Sequence, residues 1–425
     1  MHRPLRAFLL LLLLGLLNAC GGGGGGSSST GVVVTGTPIQ GSNVLPVVVD
    51  AGLSTIANRL YASVTLCAPG SSSNCVTVDN MLVDTGSVGL RLISTTALSN
   101  LGLAPPNGFS SLENCVHFLD NSSAWGSVKV ADVKLGNMVA PNVPLQLIND
   151  PSVTATSPCS GTAIQTNVSN NSHALNANGI LGIGMYTEDC GSTCASGTNG
   201  TYYTCTSNSC TGTRVATSAQ LQNPIPHFAS DNNGLVVVLP SVSGAGAVSV
   251  SGSILFGIGT QSNNQLGNST LLQTSLANSY NINTSVTAAN PSNGANISGL
   301  GNMNGSFLDT GSNSLYFGTA VMSTTCSRST GSFYCPPSGA PVTFSAVLSG
   351  SNGLPANVSY VASNSDDQFN GPNFALPQLT GNGSNSSFDW GLPFFFGRSV
   401  FIGIDGMSAN TGVGNATVTG PYYAF

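Results

Sequence analysis

The tetrapeptide Asp-Thr-Gly-Ser occurs twice in this chain, each time directly after a short apolar run. The first copy lies in "MLVDTGSVGL", which contains Asp84, and the second lies 225 positions later in "GSFLDTGSNSLYF", which contains Asp309. A strand that leads into Asp and then Gly places a carboxylate at the edge of a sheet, where the missing glycine side chain allows another backbone to approach. The repeat therefore predicts two homologous halves, the first ending near Ser230.

The composition favours strands over helices. Charged residues make up only 6% of the 425 residues, against about 25% in an ordinary soluble domain, and helix surfaces usually carry such residues. Short apolar runs separated by Gly, Asn, Ser and Pro are typical of strands. The predicted strands lie in "NVLPVVVD", "VKVADVKLG", "GLVVVLP", "SGSILFGIG" and "FFFGRSVFIGID", and the best helix candidate is the brief "STTALSNL". The sequence therefore predicts an all-β chain.

The first 20 residues have the pattern of a targeting segment. Arg3 and Arg6 precede an apolar run, Ala7 to Leu17, that is too short to span a bilayer but suits the core of a signal peptide. The run ends in "LLNAC", which resembles the lipobox of bacterial lipoproteins, whose cysteine, here Cys20, is lipidated. The alternative is an ordinary secretory signal with an incidental cysteine. Residues 21–30, "GGGGGGSSST", predict a flexible tether. We expect a lipid-anchored protein of the bacterial cell envelope, held at the outer membrane.

The other cysteines predict disulfides. Of the eleven cysteines, all but Cys20 form an even set in a chain expected to be exported, which favours disulfides over metal ligands. Three close pairs would staple short loops: Cys67/Cys75, Cys205/Cys210 and Cys326/Cys335. A zinc site built from Cys190, Cys194, Cys205 and Cys210 is the alternative, but no histidine stands near them. The full set of pairings cannot be deduced from sequence alone.

The two repeated aspartates suggest a specific chemistry. If the two loops are related by a pseudo-two-fold axis, the carboxyl groups of Asp84 and Asp309 lie side by side. Two like charges at that distance do not both ionise easily, so one proton is shared between them. One carboxylate can then accept a proton from water while the other carboxyl polarises a substrate carbonyl. This chemistry needs no metal, organic cofactor or covalent intermediate. The alternative is that each motif is only an Asx-type turn at the end of a strand.

The chain resembles the pepsin-like, two-lobed aspartic peptidases. Beyond the two Asp loops, "NGILGIG" resembles the segment behind the first loop, and "SGSILFGIGTQ" resembles the strand that opens the second lobe. "FDWGLPFFFGRSVFIGID" resembles the second-lobe counterpart of the Ile-Leu-Gly segment, with Gly391 at the position of its glycine. The matches follow the family's order over most of residues 45–410. The resemblance implies two β lobes around a central cleft, residues 31–230 and 231–425.

The resemblance also implies roles for individual residues. Asp84 and Asp309 would form the catalytic pair. The threonines would bridge the two loops through their hydroxyls, the glycines would bring backbone N–H groups to the carboxylates, and the serines would donate to the outer carboxylate oxygens. These supporting residues are Thr85, Gly86, Ser87, Thr310, Gly311 and Ser312. Because hydrogen bonds to an ionised carboxylate lower its pKa, the serines predict an acidic working range, with cleavage peaking below about pH 6.

The sequence departs from the family at the flap, the β-hairpin that closes over the substrate. Members usually carry a Tyr on the flap and, seven residues after the first Asp, a Trp that holds it. Here the second position is Arg91, and no Tyr occurs in the flap-like stretch "CVHFLDNSSAWGSVKVADVKLG". Phe118 or Asp120 stands nearest the expected Tyr position. Trp125 is a candidate to replace the missing ring, although a Trp in a hairpin more often packs on the sheet.

A Cys-rich insertion, residues 186–214, is a second departure. It is mostly polar and follows "NGILGIG" directly, so it either lines the rim of the cleft or forms a stapled surface loop or docking knob. The four histidines form no HExxH motif. The chain also lacks GxSxG, which disfavours a serine hydrolase of the nucleophile-elbow type.

The sequence predicts an aspartic endopeptidase that acts on peptides or proteins as a monomer. A net charge of −6 with nine Lys and Arg residues leaves no basic stripe for phosphates, so nucleic-acid binding is not expected. Two alternatives remain. One is a pepsin-like protein that binds a partner without cleaving it, which the altered flap favours. The other is a structural surface lipoprotein, which the two complete Asp loops disfavour.

Overall fold

The computed structural model describes residues 32–53, 55–164, 175–291, 301–326, 332–412 and 416–425. The predicted signal peptide (1–20), Cys20 and the tether (21–30) lie outside the described residues. Within the described ranges, no helix is both long enough and apolar enough to cross a membrane.

Strands dominate the fold. They are β1 (Val33–Thr35), β2 (Val44–Val49), β3 (Leu60–Cys67), β4 (Cys75–Asp84), β5 (Val88–Ile93), β6 (Glu113–His117), β7 (Ser122–Leu135), β8 (Met138–Ile148), β9 (Thr162–Ala163), β10 (Gly179–Ile183), β11 (Tyr202–Cys205), β12 (Cys210–Gly212), β13 (Gly234–Leu239), β14 (Ser249–Phe256), β15 (Leu271–Gln273), β16 (Ile282–Pro291), β17 (Asn302–Leu308), β18 (Leu315–Phe317), β19 (Val342–Ser349), β20 (Pro355–Ala362), β21 (Thr380–Asn382), β22 (Asp389–Trp390), β23 (Arg398–Gly403), β24 (Ser408–Asn410), β25 (Thr417–Thr419) and β26 (Tyr422–Ala424).

The helices are single turns. They are α1 (Thr96–Ser99), α2 (Ser192–Ser196) and α3 (Ser365–Phe369), with 3₁₀ turns at Thr217–Ala219, Ile225–His227, Leu276–Asn278 and Leu392–Phe395. The predicted all-β class is therefore confirmed, and each of the five apolar runs named above contains or overlaps a strand. The helix expected in "STTALSNL" is α1, whose first turn is capped by the Thr95 hydroxyl accepting from the Leu98 N–H.

Burial along the strands follows from their position. In β19 and β20 buried side chains alternate with more exposed ones, as expected when a sheet has one face on the core. All five residues of β10 are buried, as are five of the six in β13, because these strands are covered on both faces.

Five disulfides join Cys67–Cys75, Cys115–Cys159, Cys190–Cys194, Cys205–Cys210 and Cys326–Cys335. Disulfides rather than zinc therefore use the cysteines of the insertion.

The two halves repeat one arrangement of strands. In the first half, β10 lies between β4, to which it is parallel, and β5, to which it is antiparallel. In the second half, β22 lies between β17, again parallel, and β18, again antiparallel. Each group of three strands (β4, β10 and β5 in the first half; β17, β22 and β18 in the second) also has a matching neighbour. β5 pairs in parallel with β8, and β18 pairs in parallel with β21. The fold thus has two β lobes, each with one Asp motif at the end of its leading strand.

A central sheet draws its strands from both ends of the chain. The early strands β1 and β2 pair with β14, which also pairs with β13. The last strands close the same sheet, because β13 pairs with β23, and β26 pairs with both β23 and β15. The position predicted for the lobe boundary, Ser230, falls in the connection between the Ile225–His227 turn and β13. The boundary itself stays a prediction.

Candidate functional site

The two Asp motifs meet where the two lobes contact each other. Asp84 is the last residue of β4, and Asp309 directly follows β17, so each apolar strand carries its carboxyl group to a sheet end. Both residues are mostly buried, with 9% of the surface of Asp84 and 8% of that of Asp309 exposed. The backbone N–H of Gly86 donates to Oδ1 of Asp84 at 2.9 Å and to Oδ1 of Asp309 at 3.1 Å. One donor shared by two carboxyl groups places the two side chains next to each other.

Each carboxyl group has further donors from its own loop. Ser87 Oγ donates to Oδ2 of Asp84 at 2.5 Å, and Ser312 Oγ donates to Oδ2 of Asp309 at 2.7 Å. The Gly311 N–H donates to Oδ1 of Asp309 at 2.7 Å. The serines and glycines of the motif therefore occupy the positions that the sequence resemblance implied.

The two threonines tie the loops together beneath the carboxyl groups. The Thr310 hydroxyl donates to the carbonyl of Val83 at 2.8 Å and accepts from the Thr85 N–H at 3.2 Å. The Thr85 hydroxyl accepts from the Thr310 N–H at 3.0 Å and lies 3.4 Å from the carbonyl of Leu308, to which it donates. Both threonines are buried. This reciprocal set of bonds fixes the distance between the loops and hence between the two aspartates.

The close approach of the loops explains the repeated glycine. A Cβ atom on Gly86 would lie 2.7 Å from Cγ of Asp309, and one on Gly311 would lie 2.6 Å from Oδ1 of Asp84. Real Cβ atoms essentially never come so near another heavy atom, so neither position accommodates a side chain without displacing the opposite carboxyl group.

Burial dominates the electrostatics of Asp84. It is the largest cause that raises the pKa of Asp84, followed by the charge of Asp309 and a hydrogen bond to it, whereas the donors Ser87 and Gly86 act in the opposite direction with smaller effect. The pKa of Asp84 rises to about 8. The acidic range expected from the serine donors therefore does not hold for Asp84, because loss of solvent outweighs two hydrogen bonds.

A cavity of about 510 Å³ opens beside the first Asp loop. Its walls come from the Asp loop, from β6, from the segment after β10 and from the Cys-rich insertion. The lining residues used below are Ser87, Arg91, His117, Glu188, Asp189 and Tyr203. The insertion pairs with β6 through β11, with Tyr202 opposite Asn114 and Tyr203 opposite Glu113. It therefore forms part of the cavity wall, together with Gly86 and Ser87 of the first Asp loop.

Arg91 is buried and its charge is paired inside the first lobe. Its Nη2 atom lies 3.2 Å from Oδ2 of Asp189, and the two side chains are 2% and 7% exposed. Its Nη1 atom donates to Asn114 at 2.6 Å and to Gln146 at 2.7 Å. Asp189 also accepts from the hydroxyl of Tyr202 at 2.5 Å. Arg91 thus anchors the base of the hairpin and the insertion to β5, instead of holding a flap tyrosine.

Replacing Arg91 by Leu is expected to lower the free energy of unfolding by about 3–5 kcal/mol, because Asp189 would stay buried without its cationic partner. The double variant Arg91→Leu/Asp189→Leu removes both charges and is expected to cost clearly less than the single variant. Urea unfolding of the three proteins with their disulfides intact measures both values. An exposed ion pair usually contributes less than about 1 kcal/mol to the free energy of unfolding. A decrease smaller than this in Arg91→Leu would therefore contradict a buried ion pair.

The hairpin β6–β7 takes the place of the flap, with its turn at 118–121. Phe118 is half-buried against an apolar cluster of the first lobe that includes Ile164 and Ile180. Leu119 is 92% exposed at the tip, and the carboxylate of Asp120 accepts from the Ser122 N–H at 2.9 Å. Phe118 therefore packs inward, while Leu119 and Asp120 lie exposed at the turn.

Trp125 lies on the strand that leaves the hairpin turn. Its ring packs edge-on against Tyr203 of the insertion, with centroids 5.5 Å apart. Since Tyr203 lines the cavity, Trp125 supports that wall from behind. Cys115, His117 and Cys159 come together near the turn of the hairpin, but the two cysteines are joined in a disulfide and so offer no thiolates for a metal.

Sequence reasoning missed two polar residues of the site region, Asp189 and Asp389. Asp189 neutralises Arg91, and Asp389 lies opposite Tyr316 in the register of β22 and β18. The charges of Asp309 and Asp84 both act on Asp389. A comparison of the two glycine segments in the sequence could have revealed Asp389. It stands two positions before Gly391, whereas the first lobe has Ile180 two positions before Gly182.

Comparisons with known proteins give one family and a distant fold likeness. A family model described as "Protein of unknown function (DUF3443)" matches residues 40–425. No curated protein matches the chain. The solved structure of an aspartic proteinase from Irpex lacteus is similar with 15% sequence identity and a TM-score of 0.47, over 90% of this chain and 96% of that chain.

Proposed function

The chain belongs to the DUF3443 family, and from its own site we propose that it is an aspartic endopeptidase, in which Asp84 and Asp309 activate a water molecule to hydrolyse peptide bonds. The observation that carries this proposal is the single Gly86 N–H shared by the two carboxyl groups. A water molecule bound on the cleft side of such a pair can touch both carboxyl groups at once, which general acid–base catalysis requires.

The asymmetry of the pair supports a division of roles. Asp309 accepts hydrogen bonds from Gly86, Gly311 and Ser312, whereas Asp84, among the described residues, accepts from Gly86 and Ser87 only. Because hydrogen-bond donors stabilise an ionised carboxylate, we assign the charge to Asp309 and the proton to Asp84. Asp309 takes a proton from water as the water oxygen bonds to the peptide carbon, while Asp84 gives its proton to the carbonyl oxygen. The result is a tetrahedral diol. Asp309 then gives its proton to the leaving nitrogen, the C–N bond breaks, and a diol hydroxyl returns a proton to Asp84.

The cavity beside the first Asp loop supports a peptide substrate. Its volume of about 510 Å³ exceeds that of one side chain, and Ser87 belongs to both the cavity wall and the Asp84 loop. A peptide that lies extended across the cleft would place a side chain in this cavity next to the scissile bond. Glu188 and His117 in the wall give the cavity a polar character.

Cleavage of a broad peptide library by the disulfide-intact protein without its N-terminal segment tests the proposal. We expect endoproteolytic products that disappear when a statine-type inhibitor, which mimics the tetrahedral diol, is added. A matched incubation with a serine-peptidase inhibitor should leave the products unchanged. If folded protein cleaves nothing between pH 3 and 9, a pepsin-like binding protein replaces the enzyme as the favoured function.

We also propose that Cys20 carries a lipid that anchors the protein in the cell envelope, with the tether holding the folded part away from the membrane. The support is the sequence "LLNAC" after an apolar run of signal-peptide length. Cys20→Ser is expected to abolish metabolic labelling with a fatty acid and to release the protein in soluble form. A mature protein whose N-terminus is not residue 20 would contradict this anchor.

A further inference from the structure

The wall of the cavity beside the first Asp loop carries more negative than positive charge. Its lining includes Arg91, His117, Glu188 and Asp189. Arg91 and Asp189 form the only ion pair among the residues that the structure describes, so Glu188 has no cationic partner in that part of the chain. With histidine counted as neutral, these lining residues bear one positive and two negative charges.

The hydrogen bonds of the two carboxylates differ in the same way. Asp189 is 7% exposed and accepts from three donors, among them Arg91 at 3.2 Å and Tyr202 at 2.5 Å. Glu188 is half-buried and accepts through Oε2 from the hydroxyl of the neighbouring Thr187. No described residue donates to its Oε1 atom. The protein therefore satisfies Asp189 internally and leaves Glu188 with capacity to bind a further group.

The segment that carries Glu188 is fixed next to the first Asp loop. At its start, the backbone N–H of Gly184 donates to the carbonyl of Ser87 at 2.9 Å. At its end, the N–H of Asp189 donates to the carbonyl of Leu221 at 3.0 Å. Glu188 thus lies on a short stretch held at both ends, and it shares the cavity wall with Ser87.

Two tyrosine rings add surfaces that suit a cation. Tyr186 and Tyr203 both line the cavity. Tyr203 packs edge-on against Trp125, and Tyr186 packs edge-on against Tyr280 with ring centroids 4.1 Å apart, so both rings have fixed positions. Aromatic rings attract cations, and the apolar stem of a Lys or Arg side chain packs well on them. The cavity therefore offers a carboxylate for a charged head and rings for its stem.

We propose that this cavity binds a basic side chain of the substrate, Lys or Arg, and that Glu188 is the residue that selects it. The inference rests on the proposed peptidase function and adds a substrate class to it, namely peptides with a basic residue near the scissile bond. The volume of about 510 Å³ lies within the range of pockets that hold small ligands, so a long side chain fits.

Selection follows from the loss of water at Glu188 when a peptide covers the cavity. A neutral side chain would leave the carboxylate with neither water nor a partner, which is costly. An acidic side chain would add repulsion. A basic side chain replaces the lost water by a charge-assisted hydrogen bond. Glu188 therefore discriminates both by attracting basic residues and by disfavouring the others.

The positional preference of cleavage tests the role of Glu188. In the products of a broad peptide library, Lys and Arg should be enriched at one position near the cut. For two peptides that differ only there, kcat/KM for Lys is expected to exceed that for norleucine, a neutral side chain of similar length, about 30-fold. Glu188→Gln keeps the shape of the side chain and should reduce this ratio below about threefold.

The matched control is Asp367→Asn, which removes an exposed carboxylate of α3 outside the cavity and should keep the wild-type ratio. An absence of enrichment in the wild type, or an undiminished ratio in Glu188→Gln, would overturn the inference while leaving the peptidase proposal in place.

Binding to an inactive variant separates this inference from the proposed function. Asp309→Asn is used because it is expected not to cleave, and the probes are short fluorescent peptides that carry Lys or norleucine at each position in turn. Fluorescence anisotropy should show the best Lys peptide binding about 30-fold more tightly than its norleucine counterpart, and Asp309→Asn/Glu188→Gln should lose most of this difference.

Equal affinities, or no binding of either peptide, would overturn the inference even if the wild type cleaves peptides. If the wild type cleaves nothing but the Lys preference depends on Glu188, the peptidase proposal fails and the cavity remains a binding site for basic peptides.

Discussion

Asp84→Asn and Asp309→Asn are each expected to lower kcat/KM for peptide cleavage by at least about 1000-fold, because either change removes one of the two groups that exchange protons with water and substrate. An asparagine side chain has the same shape as aspartate and can still accept from the Gly86 N–H, but it neither takes nor gives the catalytic proton. Initial rates with one cleaved peptide, at several pH values, measure the loss.

The asparagine variants should fold normally. Each removes one of two carboxyl groups that lie close together with little solvent, so no buried charge is left without its partner. Asp367→Asn, at an exposed carboxyl group of α3, is the matched control and should retain full activity. Activity above about 10% of wild type in either variant of the pair, with an unchanged circular dichroism spectrum, would reject the paired-carboxyl mechanism.

Cleavage is expected to persist at neutral pH and to disappear as the pH rises through the pKa of Asp84, which burial and the charge of Asp309 raise to about 8. The reaction needs Asp84 protonated, so its loss of a proton ends activity. This shifts the working range upward from the acidic one expected from sequence. It also agrees with the proposed anchoring of the protein in a cell envelope near neutral pH. The measurement is kcat/KM between pH 3 and 9. If, as the pH rises, kcat/KM has already fallen to half its maximum by about pH 5.5, the prediction is contradicted.

The same shift has a consequence for stability. A carboxyl group whose pKa is higher in the folded protein than in the unfolded chain contributes stability at low pH, which is lost as the pH rises from the unfolded value, about 3.9, through the folded one. The free energy of unfolding should therefore decrease over this window in the wild type and decrease less in Asp84→Asn. Urea unfolding at pH 4 and pH 8 compares the two proteins.

Local sequence patterns predicted the parts of the site that lie within a few residues of each other. Each Asp-Thr-Gly-Ser motif directly follows an apolar strand, so its own donors, Ser87 and Ser312, were predictable from the motif and the resemblance. The apolar runs likewise predicted strands, because the alternation and β-branched content of a strand are properties of a short segment.

The parts that sequence did not predict depend on register between distant strands. Asp189 meets Arg91 across 98 positions. Asp389 comes to lie opposite Phe307 and Tyr316 only because β22 adds between β17 and β18 in one particular register. A shift of one residue would turn Asp389 to the opposite face and bring Trp390 into its place. The disulfide Cys115–Cys159 was not predicted either, because its two cysteines are 44 positions apart in the sequence.

β26 covers the edges of two strands in the central sheet. Its three residues, Tyr422 to Ala424, pair with β15 on one side and with β23 on the other. A protein without these residues would leave the edges of β15 and β23 open to pairing with other molecules. Deletion of this short strand is therefore expected to make the protein prone to aggregation, even though both Asp motifs would be intact.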